Sequence, residues 1–150
     1  MEGTRIYRAH GRWLWLLLSA FLLRVAAQPL ALVPGWQWLP PFAAWQSGAL
    51  PYPVLVASQL ILAAWMASAA AGVAAGRTVP RPALGRRVAV AAALYAAVMV
   101  PRLVLGLTVA RGHWWLDAPL PTVFHLVLMT FLAVYGHYHL RGPRRASPVA

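Results

Sequence analysis

The sequence predicts an all-α membrane protein: four transmembrane helices in an antiparallel up-down bundle with both termini in the cytoplasm. Three observations predict it. The composition is that of a chain dissolved in lipid, 61% hydrophobic and 10% charged, where a soluble domain carries about 25% charged residues. Four apolar runs each reach the about 20 residues that cross hydrocarbon as a helix. The arginines fall almost entirely on one side of those runs, as the positive-inside rule requires of cytoplasmic segments.

The spans are expected at about 13–33, 54–75, 88–109 and 122–140. Their residues are continuous and Leu/Ala-rich, and hydrocarbon admits only helices and closed barrels, so helices are expected. Residues 1–140 then form a single four-helix domain and 141–150 a disordered cytoplasmic tail. Arg5, Arg8 and Arg12 precede the first span. Arg77, Arg81, Arg86 and Arg87 separate the second and third, and Arg141, Arg144 and Arg145 follow the fourth. Only Arg111 lies in the opposite loops, while Arg24 and Arg102 fall inside spans. This places the chain in a bacterial cytoplasmic (inner) membrane as a multi-pass protein. A competing reading takes the N-terminal arginines, the run Trp13–Leu23 and Val25-Ala26-Ala27 as a signal peptide with its cleavage site. The apolar run resumes after Gln28, which favours an uncleaved helix.

Most prolines lie in loops or at span ends. Pro29 is expected to end or bend the first helix, and Pro101 to kink the third, because each lacks a backbone donor. The outer loop from Pro34 to Pro53 carries Trp36, Trp38, Trp45 and Tyr52. It reads as an interfacial aromatic belt, with a short helix over Phe42–Leu50 as the alternative.

Lipid gives no hydrophobic drive between helices, so close approach at small residues must hold them. The second span carries Ala64, Ser68, Gly72 and Gly76 at four-residue spacing, and the third Ala89, Ala93 and Ala97. These stripes predict a tight pairing of the second and third helices, or else a homo-oligomer contact.

Polar residues cluster in the outer half. Arg24 and Arg102 each lie roughly 13 Å below the outer boundary at 1.5 Å per residue. Gln28 follows Arg24 by one turn on the same face, and Gln59 and His125 lie near the outer ends of their spans. An embedded arginine costs about 2.5–3.5 kcal/mol, which a counter-anion would offset. The chain has only two acids, Glu2 at the cytoplasmic end and Asp117 in the outer loop beside His113. Asp117 can turn inward to one arginine, leaving the other without a carboxylate. A guanidinium grips phosphate or carboxylate with two hydrogen bonds. The sequence therefore points to an outer-half pocket of Arg24, Gln28, Gln59, Arg102, His113, Asp117 and His125 for an anionic lipid-like ligand, or to a partner subunit's carboxylate. The plainer alternative has both arginines snorkelling to the phosphate layer.

His125 and His139 share a helix face across about 21 Å, a separation that resembles that of the haem-ligating histidines of membrane di-haem b-type cytochromes. That resemblance implies haem b in an electron-transfer subunit, with His10 and His113 as the available second ligands. The plainer reading, helix-end histidines at the interface and no cofactor, agrees better with spans one to three, which carry no histidine. His113 and Asp117 supply two ligands, too few for a metal centre.

What is missing narrows the chemistry. Without cysteine or lysine there is no thiol, thiolate-metal or Schiff-base chemistry. Two acids at opposite ends give no paired-carboxylate hydrolysis, and no acid sits in a span to relay protons. A Ser–His–Asp triad would need Asp117 with Ser47 or Ser58, and no spacing supports it. The arginine-rich cytoplasmic faces fit anionic lipid rather than nucleic acid. The expected function is a non-catalytic subunit or binding module contacting membrane lipids, in a larger complex or homo-oligomer. A haem electron-transfer subunit and a small transporter or lipid-modifying enzyme are the alternatives.

Overall fold

The computed structural model describes residues 2–34, 38–46, 48 and 50–142. Trp36 and Ser47 of the outer loop, and the tail from 143 onward, lie outside them. The described residues form four α-helices, α1 (Glu2–Leu30), α2 (Tyr52–Ala74), α3 (Pro82–Leu107) and α4 (Pro119–Arg141), with a 3₁₀ turn at Phe42–Trp45 between α1 and α2. Each is long and apolar enough to cross a membrane, and no strand occurs among the described residues.

The ends of the helices follow local chemistry. α2, α3 and α4 each open with proline in the first turn, where the missing N–H has no intrahelical partner to lose. α1 ends one residue after Pro29, and α3 runs unbroken through Pro101. α2 stops in a Schellman motif. Gly76 takes φ +63°, the Arg77 N–H donates to Gly72 O at 2.9 Å, and the Gly76 N–H donates to Val73 O at 3.0 Å. Gly76 thus terminates the helix, with the Tyr7 ring packed beside it.

The helices pack in the spatial order α3, α4, α1, α2. The core lies among α1, α2 and α4: Leu14, Leu18 and Phe21 meet Met66, Ala70 and Val73, with Phe131 and Tyr138 closing from α4. Buried on α2 are Gln59, Ala63, Met66, Ala70 and Val73, alternating steps of four and three residues as in a coiled-coil seam, with Ala69 buried beside that row. Large aliphatic side chains such as Leu23, Ile61 and Leu94 stay exposed, as lipid-facing residues do.

The expected pairing of α2 with α3 does not form. The connection 75–81 runs across the end of α4 and is held there. The Tyr138 hydroxyl donates to Thr78 O at 2.5 Å, and the Arg81 N–H donates to His139 Nδ1 at 3.1 Å. α3 is thereby carried to the far side of α4. It docks through Gly85, Ala92, Met99 and Gly106, all buried and spaced by seven residues, which is the period of left-handed helix pairs. An added Cβ at Gly85 would stand 3.0 Å from Gly136 O, and one at Gly136 would stand 3.1 Å from Ala89 N. Small residues do set the closest approach, but between α3 and α4. Ala64, Ser68, Ala93 and Ala97 face outward, Ala89 is half-buried, and half-buried Gly72 lies under Thr78.

Candidate functional site

The segments 31–51 and 108–118 share one end of the molecule, the outer end of the expected topology. Each embedded arginine reaches into one of them. Arg24 is 6% exposed, and its Nη2 donates to the carbonyl of Trp45 at 2.9 Å. Trp45 is fixed in turn: its indole N–H donates to Pro40 O at 3.0 Å, and its ring stacks on Phe124 with centroids 6.3 Å apart. The guanidinium of Arg24 lies 5.9 Å from the Phe124 ring centroid.

Arg102 is 3% exposed and does the same for the other segment. Its Nε and Nη2 both donate to the carbonyl of Trp115, at 3.0 and 2.8 Å, with the guanidinium 4.4 Å from the centroid of that indole. Met99 Sδ takes a third, weak contact from Nη1 at 3.9 Å. Neither arginine snorkels to open water, and the two serve separate loops.

Asp117 does not turn inward to an arginine. Its Oδ2 accepts the Gly112 N–H at 2.7 Å, while His113 Nδ1 accepts the N–H groups of Trp115 and Leu116 at 3.3 Å each. Local turn hydrogen bonds form with no change in helix packing, so these two residues close the 108–118 turn on itself. Gly106 lets that turn settle onto α3, since a Cβ there would run into the backbone carbonyl oxygen of Leu116.

Three of the remaining candidates converge. A cavity of about 210 Å³ opens between α1, α2 and α4, and Arg24, Gln59 and His125 line it. Gln28, Arg102, His113 and Asp117 are not in its walls. Gln59 is 6% exposed and its Oε1 has no partner; Arg24 Nε likewise has none. Gln28, one turn beyond Arg24, is 1% exposed with both amide atoms unpartnered. Buried polar atoms are nearly always hydrogen-bonded, and each orphan costs about 1–3 kcal/mol. Two of them, Arg24 Nε and Gln59 Oε1, belong to residues that line one cavity, a place where polar atoms from outside the chain would be stabilising.

Two contributors escaped the sequence reading. Tyr95 places its hydroxyl 2.5 Å from His125 Nδ1, orienting that ring at the cavity wall. It lies seven residues before Arg102 on the α4-facing side of α3, a legible spacing. Trp45 both accepts from Arg24 through its carbonyl and stacks on Phe124, and nothing in the loop's composition singles it out from the neighbouring tryptophans.

At the opposite end, His10 Nε2 and His137 Nδ1 pair at 3.0 Å with stacked rings. His139 is 2% exposed; its Nδ1 accepts from Arg81 and its Nε2 is unpartnered. His10 therefore turns to His137, and exposed His113 stacks on Trp114. Among the described residues no three His, Asp or Glu side chains gather as a metal site.

Comparison with known proteins finds no matching family model, no matching curated protein and no matching solved structure.

Proposed function

We propose that the protein is a non-catalytic binding module or subunit of the bacterial cytoplasmic membrane, an antiparallel up-down bundle with both termini in the cytoplasm. Its outer-half cavity takes the anionic group of a lipid-like ligand, or a carboxylate from a partner protein. One observation carries this reading: Arg24 and Gln59 line a single cavity while Arg24 Nε and Gln59 Oε1, both buried, lack partners. A cationic donor in a low-dielectric wall binds an anion more strongly than the same group in water. The separate seat of Arg102 sharpens the proposal to Arg24, Gln28, Gln59 and His125, and assigns Arg102, His113 and Asp117 to holding the 108–118 loop.

The division of labour between the arginines is testable by native mass spectrometry of the purified protein. Arg24→Leu is expected to lose co-purifying anionic lipid or partner protein, while Arg102→Leu is expected to keep it. Equal retention in wild type and both variants would remove the ligand.

Topology has its own test in this cysteine-free chain. Ala43, on the 3₁₀ turn, and Ala83, at the start of α3, are both exposed. A cysteine at 43 is expected to react with an impermeant maleimide added outside intact cells, and one at 83 only after permeabilisation. Labelling of residue 83 from outside would invert the bundle.

A further inference from the structure

The cavity is built in tiers. Arg24, Gln59 and His125 come from three different helices and form a polar tier. Three residues deeper along each helix stand Phe21, Leu62 and Leu128, which line the same cavity. Positions three apart share a helix face, so the apolar tier lies directly beneath the polar one, roughly 4.5 Å closer to the bilayer centre. A further step of three reaches Trp65 on α2 and Phe131 on α4, whose rings meet at 5.7 Å and close the floor.

The walls are uneven. α1 packs on α2 and on α4, but α2 and α4 are not packed as helices. They meet through Trp65, whose ring also touches Tyr135 at 5.8 Å. Above that bridge the α2–α4 side is a slot, with exposed Ser58 and half-buried Leu55 on one rim and half-buried Phe124 and Leu128 on the other. In the expected topology this slot opens sideways between two membrane-spanning helices, and Phe124 on its rim is stacked by Trp45.

From this we infer that the ligand enters sideways from the outer leaflet between α2 and α4, and that it is a glycerophospholipid-like amphiphile whose headgroup carries a hydrogen-bond donor as well as a phosphate. The inference rests on the anion-binding reading of the same cavity and adds the ligand's class and route. Arg24 Nε–H lacks an acceptor, which a phosphate oxygen supplies. Gln59 Oε1 lacks a donor, which a phosphate diester cannot supply and a headgroup hydroxyl or ammonium can. The apolar tier receives the first carbons of the lipid's glycerol and acyl portion. A free phosphate compound would satisfy the upper tier alone.

Binding of three probes to the full-length protein in a non-ionic detergent separates the elements of this claim. The probes are dioctanoyl phosphatidylglycerol, dioctanoyl phosphatidylcholine, whose headgroup has no donor, and tail-less glycerol 1-phosphate. Phosphatidylglycerol is expected to bind at least about tenfold more tightly than either other probe, because a site built for a donor rejects an analogue lacking it. Gln59→Met is expected to erase the preference over phosphatidylcholine, and Arg24→Leu to weaken both lipids. Equal binding of the two lipids, both weakened in Arg24→Leu, would refute the donor requirement and leave the anion site standing. Glycerol 1-phosphate binding as tightly as the lipid would refute the lateral lipid route. Binding of no probe, or binding indifferent to Arg24→Leu, would overturn the anion site itself and this inference with it. Should Gln59→Met not fold, dioctanoyl phosphatidylethanolamine, zwitterionic like phosphatidylcholine but carrying ammonium donors, isolates the donor on the unaltered protein: it is expected to bind more tightly than phosphatidylcholine, and equal binding of these two would refute the donor requirement.

Discussion

Gly106→Ala is expected to destabilise the protein by about 3 kcal/mol or more, the upper part of the range for forcing atoms into a packed site. The added methyl would collide with the carbonyl oxygen of Leu116, and that oxygen belongs to backbone, which cannot rotate away as a side chain would. The 108–118 turn must lift. Lifting it separates the carbonyl of Trp115 from the two donors of Arg102, so a buried cation loses its partner at the same moment, the costliest kind of loss. Thermal unfolding in detergent measures the first effect. Hydrogen exchange at the amides of Trp115 and Leu116, expected to lose protection, measures the second. Ala64→Leu and Ser68→Leu serve as controls. Both positions are exposed, so each is expected to change stability by no more than about 0.5 kcal/mol. A large loss at either would mean that the stripe packs against something, a second copy first of all.

Arg24→Leu is expected to act almost entirely through the ligand. In lipid-stripped protein the substitution removes one charge-assisted hydrogen bond to Trp45 O, worth about 1.5–3 kcal/mol. It also removes a guanidinium whose placement in the bilayer costs about 2.5–3.5 kcal/mol and whose Nε is unpartnered. The two effects are of similar size and opposite sign, so the stripped variant is expected to melt near the wild type. Added lipid should separate them. A ligand at a hundred times its dissociation constant stabilises by about 2.7 kcal/mol, and only the wild type should gain it. A stripped variant much less stable than wild type would mean that Arg24 is a structural clamp on the Trp45 turn.

How much of this was written in the sequence can be seen residue by residue. The four spans follow from apolar run length alone. Their ends are less legible, because charge does not end a helix. α3 starts at Pro82, not near Val88, and carries Arg86 and Arg87 on helical turns. Depth was readable in part: counting inward from the boundaries put Arg24, Gln59 and His125 all in the outer half, though at different depths, and the three line one cavity. Azimuth was not readable. In runs as uniformly apolar as these, no periodicity fixes which way a residue faces, so Arg102 at the same depth as Arg24 proves to serve a different loop. The same blindness misplaced the packing faces. Four-residue stripes of small residues caught the eye in α2 and α3. The true α2 seam, from Gln59 to Val73, sits about one residue away, and the true α3 seam repeats every seven residues through Gly85 and Gly106. The route of the 75–81 connection across α4 depends on hydrogen bonds to Tyr138 and His139, and no local signal in the loop announces them.

The central claim is that the tiered cavity between α1, α2 and α4 holds a lipid headgroup on Arg24. Photo-crosslinking tests it most directly. The protein is reconstituted with a phosphatidylglycerol bearing a diazirine near the top of one acyl chain, irradiated, and mapped by peptide mass spectrometry. The account predicts adducts concentrated at Ser58, Leu62, Phe124 and Leu128, abolished by Arg24→Leu and retained in Arg102→Leu. Adducts spread evenly over the lipid-facing positions Leu23, Ile61 and Leu94, and unchanged by Arg24→Leu, would contradict it.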